Sequence, residues 1–404
     1  MSETNRIEFD LQVEKLVYGG DGLLRKEGQV VFAPRVLPGE HVRVEVTETK
    51  PQLLRAIPVV ILRHSEKRRA APCPHFGVCG GCHYQHAEYE YQLEQKVLIL
   101  RDVLRRVGKV QAPATIRVIS GPEFGYRNRA QFHIADGRVG FHQADSNLLC
   151  AIPACAICSP KLNEVLAAFQ RMATQARFPR FLRTVEIFTN ESDVQINVLK
   201  TDQPLARRFF EWCAKEFSGL VDGPLRYEVL GTCLRVSPTA FFQVNRFLLD
   251  ELVRAAVADT QGERAVDLYA GVGLFTVELA RRFQKVTAVE IAAASWNDLL
   301  ENTRGLQAEV IALRTSAEQF LQSVDKPADF VVADPPRSGL GKEVVARLLE
   351  WKPRQLALVS CDAATLARDL APLLSRYEIE ALTLVDLFPQ TYHIETLARL
   401  QLRR

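Results

Sequence analysis

The sequence predicts an α/β protein that combines a small N-terminal β-barrel, a central α/β domain and a C-terminal Rossmann-like domain. Residues 1–62 alternate apolar and polar positions in short runs broken by glycine and proline, which is typical of a small antiparallel barrel. From residue 237 onward, apolar strands, glycine turns and helices alternate, which predicts a parallel sheet covered on both faces. Since 404 residues also exceed what one hydrophobic core usually serves, we place domains at 1–62, 63–236 and 237–404.

Composition limits the class of protein. Hydrophobic residues make up 47% of the chain and charged residues 25%, as in globular proteins. No apolar run reaches the roughly 18 residues that a membrane-spanning helix needs. The opening MSETNRIEFD also lacks the basic and apolar regions of a secretory signal. We therefore expect a cytoplasmic protein that does not associate with membranes, and we expect a monomer.

The net charge of +3 is distributed unevenly along the chain. Residues 50–109 contain 11 Lys and Arg against 5 Asp and Glu. Such a basic segment is typical of a surface that faces phosphates, although an ordinary solvated face gives the same count. The small barrel that precedes it is a common platform for nucleic acids, but it could also be purely structural. Both features are compatible with a nucleic-acid partner and neither requires one.

Local patterns predict individual elements in the middle of the chain. Apolar residues at helical spacing predict a helix over 89–107 that ends at Gly108. The segments VEIFTN and VQINVL predict strands, and we expect a helix near 160–174. The segment FFQVNRFLLDELVRAAV, at 241–257, predicts an entry helix to the Rossmann-like domain.

A glycine turn in the C-terminal domain predicts a nucleoside site. In the stretch that begins at Asp267, Gly271 and Gly273 lie where a buried strand turns into a helix, and they permit close backbone approach to a ligand. Glu290 ends the next strand, where an acidic side chain suits hydrogen bonding to both hydroxyls of a ribose. Thr276 replaces the third glycine of a dinucleotide fingerprint, so no pyrophosphate cradle is indicated. This combination favours S-adenosyl-L-methionine (SAM).

Chemically reactive residues follow at further strand ends. Asp334 begins a DPPR segment directly after an apolar strand, and Cys361 follows the apolar run LALVS. Because parallel strands end at one edge of the sheet, both side chains should emerge together. Near the end of the chain, His393 and Glu395 follow a turn that Pro389 restrains. Each feature also has a purely structural interpretation. The DPPR segment could be a turn that ends a strand, Cys361 could be a small packed residue, and His393 and Glu395 could be solvated or structural side chains.

At these residues the sequence resembles a known family. The segments DPPRSG, VSCDAATLARD and VDLFPQTYHIE, in that order and spacing, resemble the signatures of the uridine-5 RNA methyltransferase family, and FFQVN and DLYAGVG match its upstream motifs. The resemblance covers nearly the whole chain and includes a barrel similar to the family's TRAM domain. It implies a class I SAM methyltransferase domain and an RNA (uracil-5-)-methyltransferase, class EC 2.1.1, that acts on carbon 5 of a uridine.

The resemblance also implies roles for individual residues. Cys361 would be the nucleophile, Glu395 the base, and His393 would support the site. The residues expected to bind SAM are Gln243, Tyr269, Gly271, Glu290 and Asp334. This chain has Leu358 and Asp362 where the family usually has Tyr and Asn, which puts substrate contacts or the thiol environment in doubt but leaves both reactive groups in place.

A cysteine cluster precedes the central domain. Cys73, Cys79 and Cys82 have the spacing C-x5-C-x2-C. A fourth thiol could come from Cys150, Cys155 or Cys158. Four cysteines can hold zinc or an iron-sulfur cluster. Three histidines in the same stretch, His75, His83 and His86, make zinc an equal competitor. Spacing alone leaves the metal undecided.

The resemblance implies the iron-sulfur alternative. The cluster-bearing branch of the family has a closely similar CPHFGVCGGCHYQH stretch and a later Cys five residues before a Pro, as Cys155 stands before Pro160. It therefore implies a 4Fe-4S cluster on Cys73, Cys79, Cys82 and Cys155. We expect the cluster to order the basic loop, as a metal can substitute for a missing core. We assign Cys213 and Cys233 to ordinary packing.

The cluster-bearing branch resembles the rRNA enzymes, so we expect 23S rRNA as substrate, with tRNA as the alternative. A methyltransferase acting on a base nitrogen offers no task for Cys361 or Glu395. A DNA cytosine-5 enzyme would carry its thiol in a proline-cysteine loop, near the place where this chain has Asp334. A further alternative is a non-catalytic RNA-binding protein with an inactive SAM fold.

Overall fold

The computed structural model describes residues 7–404. Residues 1–6, which belong to the predicted barrel and to the opening segment MSETNRIEFD, lie outside the described residues. Two compact units are formed. The first contains the described residues up to Asp102, together with His142–Cys150 and Phe388–His393, and the second contains the rest of the described chain. Across residues 7–404, every helix is too short or too polar to cross a bilayer.

The first unit begins with a closed barrel. Its strands are β1 (Glu8–Leu16), β2 (Asp21–Lys26), β3 (Gln29–Pro34), β4 (His41–Lys50) and β5 (Leu53–Arg63), in the order β1-β2-β3-β5-β4. The predicted barrel is confirmed, but β3 and β5 run parallel. Strand directions cannot alternate all the way around a ring of five, so one parallel pair is unavoidable. Alternate residues such as Val42 and Val44 fill the barrel core.

An irregular segment connects β5 to helix α1 (Tyr89–Val103). The predicted helix end at Gly108 is confirmed, because α1 continues as a π-helical turn, Leu104–Gly108, and Lys109 then adopts a left-handed φ of 54°. A side chain at position 108 would collide with the carbonyl oxygen of Ala367. The glycine is therefore required by close packing of the backbone as well as by the helix end.

A buried ion pair connects the barrel to the cysteine-rich segment within the first unit. Glu40 is completely buried. Its carboxylate accepts hydrogen bonds from Nε and Nη2 of Arg68 (2.5 and 2.8 Å) and from the backbone N–H groups of Leu37 (2.8 Å) and Ser65 (3.2 Å). Burial by itself would raise the pKa of Glu40, but these hydrogen bonds outweigh it and lower the pKa. Part of the basic segment thus serves the fold and not a phosphate surface.

Between α1 and residue 236 the chain forms a mixed central region, which belongs to the second unit except for His142–Cys150. Its elements are β6 (Arg117–Ile119), β7 (Arg129–Ala135), β8 (Arg138–His142), β9 (Leu149–Ala151), α2 (Pro160–Ala173), β10 (Leu182–Thr189), β11 (Val194–Thr201), α3 (Arg207–Glu216), β12 (Leu225–Val229) and β13 (Thr232–Val236). Strands β11, β10, β7 and β8 are neighbours in this order. The predicted strands and the helix near 160–174 are confirmed. Ser159 caps α2 by accepting a hydrogen bond from the backbone N–H of Leu162 (3.4 Å), and Pro160 occupies the first helical turn.

The two cysteines assigned to packing have different surroundings. Cys213 is buried, and burial raises its pKa to about 12, which confirms the assignment. The assignment of Cys233 is wrong, because its side chain is exposed. Strands β12 and β13 form a two-stranded ribbon whose residues alternate between buried and exposed, and Cys233 lies on the exposed face opposite Glu228.

The C-terminal part of the second unit carries the largest sheet. Its elements are α4 (Leu249–Ala256), β14 (Gly262–Leu268), α5 (Thr276–Leu279), β15 (Phe283–Val289), α6 (Ala293–Asn302), β16 (Glu309–Leu313), α7 (Ala317–Gln322), β17 (Phe330–Ala333), α8 (Gly341–Trp351), β18 (Gln355–Ser360), α9 (Ala363–Leu373), β19 (Tyr377–Val385) and β20 (Glu395–Leu402). Among the described residues the strand order is β16-β15-β14-β17-β18-β20-β19-β6.

The predicted parallel strands are present, but the sheet also contains an antiparallel strand that the sequence did not predict. Strands β14 to β18 run parallel to one another. Strand β20 runs antiparallel to both β18 and β19. Because a direct connection joins β19 to its neighbour β20, the chain must reverse direction between them. As a result β20 begins at the edge where the parallel strands end.

The predicted entry helix over 241–257 is wrong in its first half, because α4 begins at Leu249. Before it, Oδ1 of Asn245 accepts hydrogen bonds from the backbone N–H groups of Phe247 (3.0 Å) and Leu248 (3.3 Å). The side-chain amide of Asn245 donates to the carbonyl of Leu387 (3.0 Å). Such side-chain to backbone bonds compete with helix formation, which apolar periodicity cannot reveal. The division at 1–62, 63–236 and 237–404 stays a prediction.

The Glu40–Arg68 pair yields a stability prediction. Replacing Arg68→Met leaves a buried carboxylate without its cation, so we expect the free energy of unfolding to fall by about 3 kcal/mol. Since the folded pKa of Glu40 is lowered, its contribution in the wild type is present at neutral pH and is lost as the pH falls below about 4. Urea denaturation followed by circular dichroism measures both effects.

The matched control for this prediction is Glu211→Gln, which removes an ion pair to Arg207 whose side chains are 60% and 93% exposed. An exposed pair should change the free energy of unfolding by less than about 0.5 kcal/mol. Equal effects of the two substitutions would contradict a structural role for the buried pair.

Candidate functional site

The predicted residues of the second unit lie along one edge of the large sheet. Leu268 pairs with both Val289 and Ala333, and Ala333 pairs with Leu358. The residues that continue past the strand ends are therefore neighbours at this edge. From β15 to β18 they are Glu290, Tyr269, Asp334 and Cys361.

Glu395 reaches the same edge from the opposite direction. Ser360, the last residue of β18, pairs with Thr396 of the antiparallel strand β20. Glu395 is the first residue of β20, and Cys361 directly follows β18. The candidate nucleophile and the candidate base thus lie at adjacent strand ends.

The glycine turn after β14 has the predicted conformation. Gly271 and Gly273 have φ values of 55° and 96°, in the left-handed region. A Cβ at position 273 would approach Leu299 Cδ1 to 2.9 Å, whereas a Cβ at position 271 would meet no atom within 4 Å. Gly273 is needed for packing against α6, and the open space at Gly271 can admit a ligand.

Glu290 is held for ligand binding by the turn itself. Its carboxylate accepts hydrogen bonds from the backbone N–H groups of Gly271 (2.8 Å) and Ala292 (2.6 Å). A carboxylate has about four acceptor positions, so two remain for ribose hydroxyls. Burial raises the pKa of the neighbouring Tyr269, which keeps this phenol as a neutral hydrogen-bond donor.

Buried acidic groups surround the edge. Burial raises the pKa of Asp334 to about 7, against a hydrogen bond from Gln243 Nε2 at 3.3 Å. Burial also raises the pKa of Asp267 to about 7, although the hydroxyl of Thr276 donates to it at 2.5 Å. The other oxygen of Asp267 is buried without a hydrogen-bond partner in the described chain. A cationic ligand group would stabilise the ionised form of both acids.

The Cys361 thiol is half-buried in this acidic setting. Burial raises its pKa to about 11, the charges of Glu395 and Asp334 add to the shift, and Arg337 opposes it. Burial also raises the pKa of Glu395 well above 4.5, with Asp334 contributing and Arg337 opposing. In the free protein the thiol and Glu395 therefore both favour their neutral forms.

Sequence reasoning missed three residues of this region. It assigned no role to Asp267 or Arg337, although both occur in the quoted motifs and both act electrostatically on the site. It also passed over Phe241, which exposes 66% of its surface next to the buried Gln243. An exposed aromatic ring can stack on an unpaired base. The doubled Phe of FFQVN was the available signal.

The two departures from the family pattern have simple structural positions. Asp362 caps α9, since its carboxylate accepts hydrogen bonds from the backbone N–H groups of Ala364 (3.0 Å) and Thr365 (2.8 Å). Leu358 is buried in β18. Asp362 therefore orders helix α9, which it caps, and Leu358 belongs to the core.

The predicted supporting residue His393 belongs to the first unit. Its ring packs against Phe388 and Tyr392, with centroid distances of 5.5 and 4.4 Å. Its backbone N–H donates to the hydroxyl of Thr391 at 3.2 Å. The packing on two aromatic rings restrains the imidazole.

The cysteines of the predicted metal site are divided between the units. Cys73, Cys79, Cys82 and Cys150 belong to the first unit, and Cys155 and Cys158 belong to the second. Burial and the charge of Cys73 raise the pKa of Cys150, whose thiol is hydrogen-bonded to Cys79. The Cys150 thiol therefore interacts with both Cys73 and Cys79.

In the second unit, Cys155 accepts a hydrogen bond from the Cys158 thiol. This bond lowers the pKa of Cys155 to about 7, against burial and with help from the backbone N–H groups of Cys158 and Ile157. The thiols fit a soft metal or an iron-sulfur cluster.

Two of the histidines that made zinc a competitor pack against aromatic rings. His83 packs on Tyr392 at 4.5 Å, and His86 stacks on Phe76 at 5.5 Å. Burial lowers their pKa values to about 4 and about 3, respectively, so both rings are neutral at physiological pH. Within residues 7–404, no three metal-ligating side chains are arranged closely enough to hold a metal ion.

Two family models match the chain. Residues 225–403 match the tRNA (uracil-5-)-methyltransferase model, and residues 3–59 match the TRAM domain. The curated relatives include the 23S rRNA (uracil(1939)-C(5))-methyltransferase RlmD of Azoarcus sp., which is 33% identical over 96% of this chain and 98% of its own length. An uncharacterized RNA methyltransferase of Aquifex aeolicus is 32% identical over 97% of this chain and 98% of its own length.

A solved structure shares the fold. The tRNA (uracil-54, C5)-methyltransferase of Pyrococcus abyssi, in complex with S-adenosyl-L-homocysteine, superposes with a TM-score of 0.76 at 24% sequence identity. The match covers 97% of this chain and 100% of that chain. The predicted combination of a Rossmann-like methyltransferase domain with an N-terminal barrel is thereby confirmed.

The acidic surroundings of Cys361 yield a pH prediction. Because only the thiolate reacts, iodoacetamide should alkylate Cys361 slowly near neutral pH and faster as the pH rises toward about 11. As the pH rises and Glu395 ionises, its charge raises the pKa of Cys361. Glu395→Gln removes that charge, so at a pH above the pKa of Glu395 and below that of Cys361 the variant should be alkylated about tenfold faster for each unit by which the pKa of Cys361 falls. Mass spectrometry of the Cys361 peptide measures the rate, with the exposed Cys233 as reference in the same sample. Identical pH profiles for both proteins would contradict the assignment.

Proposed function

Since the chain belongs to the uracil-C5 RNA methyltransferase family, we propose that it methylates one specific uridine of 23S rRNA through a covalent adduct between Cys361 and carbon 6 of the base. It is an RNA (uracil-C5)-methyltransferase that uses SAM, and it carries an N-terminal TRAM domain. The observation that carries the covalent mechanism is the placement of Cys361 and Glu395 at adjacent strand ends.

The chemistry assigns one task to each of these side chains. Carbon 5 of uracil is a poor nucleophile, so the Cys361 thiol loses its proton and forms a bond from Sγ to carbon 6. Carbon 5 of the resulting enolate would then take the methyl group that bound SAM supplies, and S-adenosyl-L-homocysteine would leave as the S–CH3 bond breaks. Glu395 accepts the proton of carbon 5, the Sγ–C6 bond breaks, and the aromatic ring is restored. His393 supports the site.

The high pKa of Cys361 in the free protein requires a compensating charge. SAM supplies the methyl group and, while bound, a positive sulfonium. A cation at this edge would offset Asp334 and Glu395 and lower the pKa of the thiol. Arg337 already acts in that direction. We propose that SAM is bound by Gln243, Tyr269, Gly271, Glu290 and Asp334, and that Asp267 adds a buried negative charge.

The names of relatives support rRNA as the substrate class. Both the Azoarcus enzyme and a Pseudomonas fluorescens relative, 33% identical over 96% of this chain, are named 23S rRNA (uracil(1939)-C(5))-methyltransferases. The target uridine must be unpaired or extruded, because an enzyme cannot reach carbon 6 inside a stack. The exposed ring of Phe241 offers a stacking surface for such a base. A tRNA substrate is the alternative, and we propose that the enzyme acts as a cytoplasmic monomer.

We further propose a 4Fe-4S cluster on Cys73, Cys79, Cys82 and Cys155. The support is the cysteine spacing and the collection of thiols in a segment of the first unit that has little regular secondary structure. Such a cluster would order the loop between β5 and α1. Cys150 competes with Cys155 as the fourth ligand, because its thiol already contacts Cys79.

The covalent mechanism predicts a stalled intermediate. Glu395→Gln should still add Cys361 to uracil and still accept the methyl group, but it should lose turnover by about 100-fold or more because the carbon 5 proton remains. Incubation of 23S rRNA transcript with methyl-labelled SAM should give a labelled protein-RNA adduct that survives denaturation. Wild-type protein should show little of it, and Cys361→Ala should form no adduct while still binding SAM.

Two outcomes would overturn parts of this proposal. Near wild-type turnover by Glu395→Gln, or no adduct despite SAM and RNA binding, excludes Glu395 as the essential base. Labelling of tRNA transcripts but not of 23S rRNA would show that tRNA is the substrate, and the proposed mechanism would be unaffected.

The cluster proposal predicts iron in anaerobically purified protein. We expect brown protein with about four irons per chain. Replacing any of Cys73, Cys79, Cys82 or Cys155 by Ser should release iron, whereas Cys213→Ser should not, since Cys213 is buried elsewhere. Stoichiometric zinc without visible absorbance would contradict the cluster. Iron loss in Cys150→Ser, but not in Cys155→Ser, would identify Cys150 as the fourth ligand.

A further inference from the structure

The Phe388–His393 segment, which carries His393 and lies just before Glu395, is bound tightly within the first unit. The chain leaves the second unit after Leu387 and returns to it at Ile394. Between these points, Gln390 is completely buried and has a left-handed φ of 67°. A non-glycine residue persists in this conformation only when its surroundings impose it. The contacts of Gln390 therefore determine the path of the segment.

A reciprocal pair of glutamines makes the most specific of these contacts. Gln92 of α1 is buried, and its Nε2 donates to Oε1 of Gln390 at 3.0 Å. Its Oε1 accepts from the backbone N–H of Gln390 at 3.2 Å. The same Nε2 also donates to the carbonyl of Ala87 at 3.0 Å, which fixes the orientation of the amide. Gln92 thus satisfies both the backbone and the side chain of Gln390.

Neighbouring groups complete the binding of the segment. The carbonyl of Gln390 accepts hydrogen bonds from the backbone N–H groups of His83 (2.7 Å) and Tyr84 (3.0 Å), which directly follow Cys82. Nζ of the wholly buried Lys96, also on α1, donates to the carbonyl of Phe388 at 3.0 Å. Gln92 and Lys96 can be buried at this segment because each of them meets a hydrogen-bond partner there.

We propose that Gln92 is a positioning residue for the proton removal that follows methyl transfer: by holding the Phe388–His393 segment, it fixes where the chain enters β20 and so fixes the Glu395 carboxylate. This inference rests on the proposed role of Glu395 as the base. A displacement of about 1 Å in a catalytic group can cost about 100-fold in rate. Proton removal from carbon 5 follows methyl transfer, so a misplaced Glu395 stalls the reaction at the methylated adduct.

The test compares Gln92→Met, which keeps the size of the side chain but removes its hydrogen bonds, with the wild type. We expect kcat on unmodified 23S rRNA to fall about 10- to 100-fold, while the KM for SAM stays within about twofold. The methyl-labelled adduct should accumulate, as in Glu395→Gln. Hydrogen exchange of the Phe388–His393 segment should become faster.

The matched control is Gln95→Met on the same helix. Gln95 is also buried, but its side chain makes no hydrogen bond in the described chain. It should behave like the wild type in all four measurements. If Gln92→Met does not fold, Gln390→Asn decides the question, because Asn tolerates a left-handed φ and is too short to keep both contacts with Gln92.

The outcomes separate this inference from the function on which it rests. Faster exchange of the segment with normal product release, or a lower kcat without adduct while Glu395→Gln does accumulate it, overturns the positioning role of Gln92. If Glu395→Gln itself gives no adduct, the proposed base is wrong, and the role of Gln92 falls with it.

Discussion

The reversal of one strand determines the chemistry of this protein. Parallel strands β14 to β18 deliver their side chains to the carboxyl edge of the sheet, which is enough for a ligand site. A further parallel strand would begin at the opposite edge. Because β20 runs antiparallel to β18, its first residue, Glu395, begins where β18 ends, next to Cys361. A nucleophile from a strand end and a base from a strand start can meet only through this reversal.

The same edge concentrates carboxyl groups whose ionised forms the free protein does not stabilise well. Asp267, Asp334 and Glu395 all have raised pKa values, and burial is the largest cause for each. Burying several carboxylates together is unfavourable unless something positive joins them. The exposed Arg337 acts on the site from the protein side. A cationic cosubstrate would stabilise the carboxylates that Arg337 does not. This agrees with a sulfonium as methyl donor and disfavours an anionic nucleotide.

Sequence patterns predicted the site better than the surrounding loops, and for a physical reason. Strand ends can be read from apolar runs, so the edge positions of Asp334 and Cys361 followed directly from the parallel sheet. The start of α4 could not be read in this way, because side-chain bonds from Asn245 decide it. Exposure of Cys233 depends on which face of the β12–β13 ribbon packs against the rest of the unit, and this is a tertiary fact that spacing does not reveal. The charge coupling of Asp267 and Arg337 to the site required distances that spacing does not supply.

The length of the connection between β19 and β20 is itself informative. Val385 pairs with Glu395, so the nine residues between them close a hairpin that two to five residues usually close. Turn geometry therefore does not account for the extra residues. Six of them form the Phe388–His393 segment of the first unit, and Gln390 and Thr391 within it are buried. Because of this longer connection, one short stretch of sequence belongs to both units. The Phe388–His393 segment lies in the first unit, and Glu395 follows it by only two residues in the second. A shorter hairpin would preserve the sheet and the register of Glu395, but it would remove the hydrogen bonds through which Gln92 and Lys96 restrain the approach to that residue.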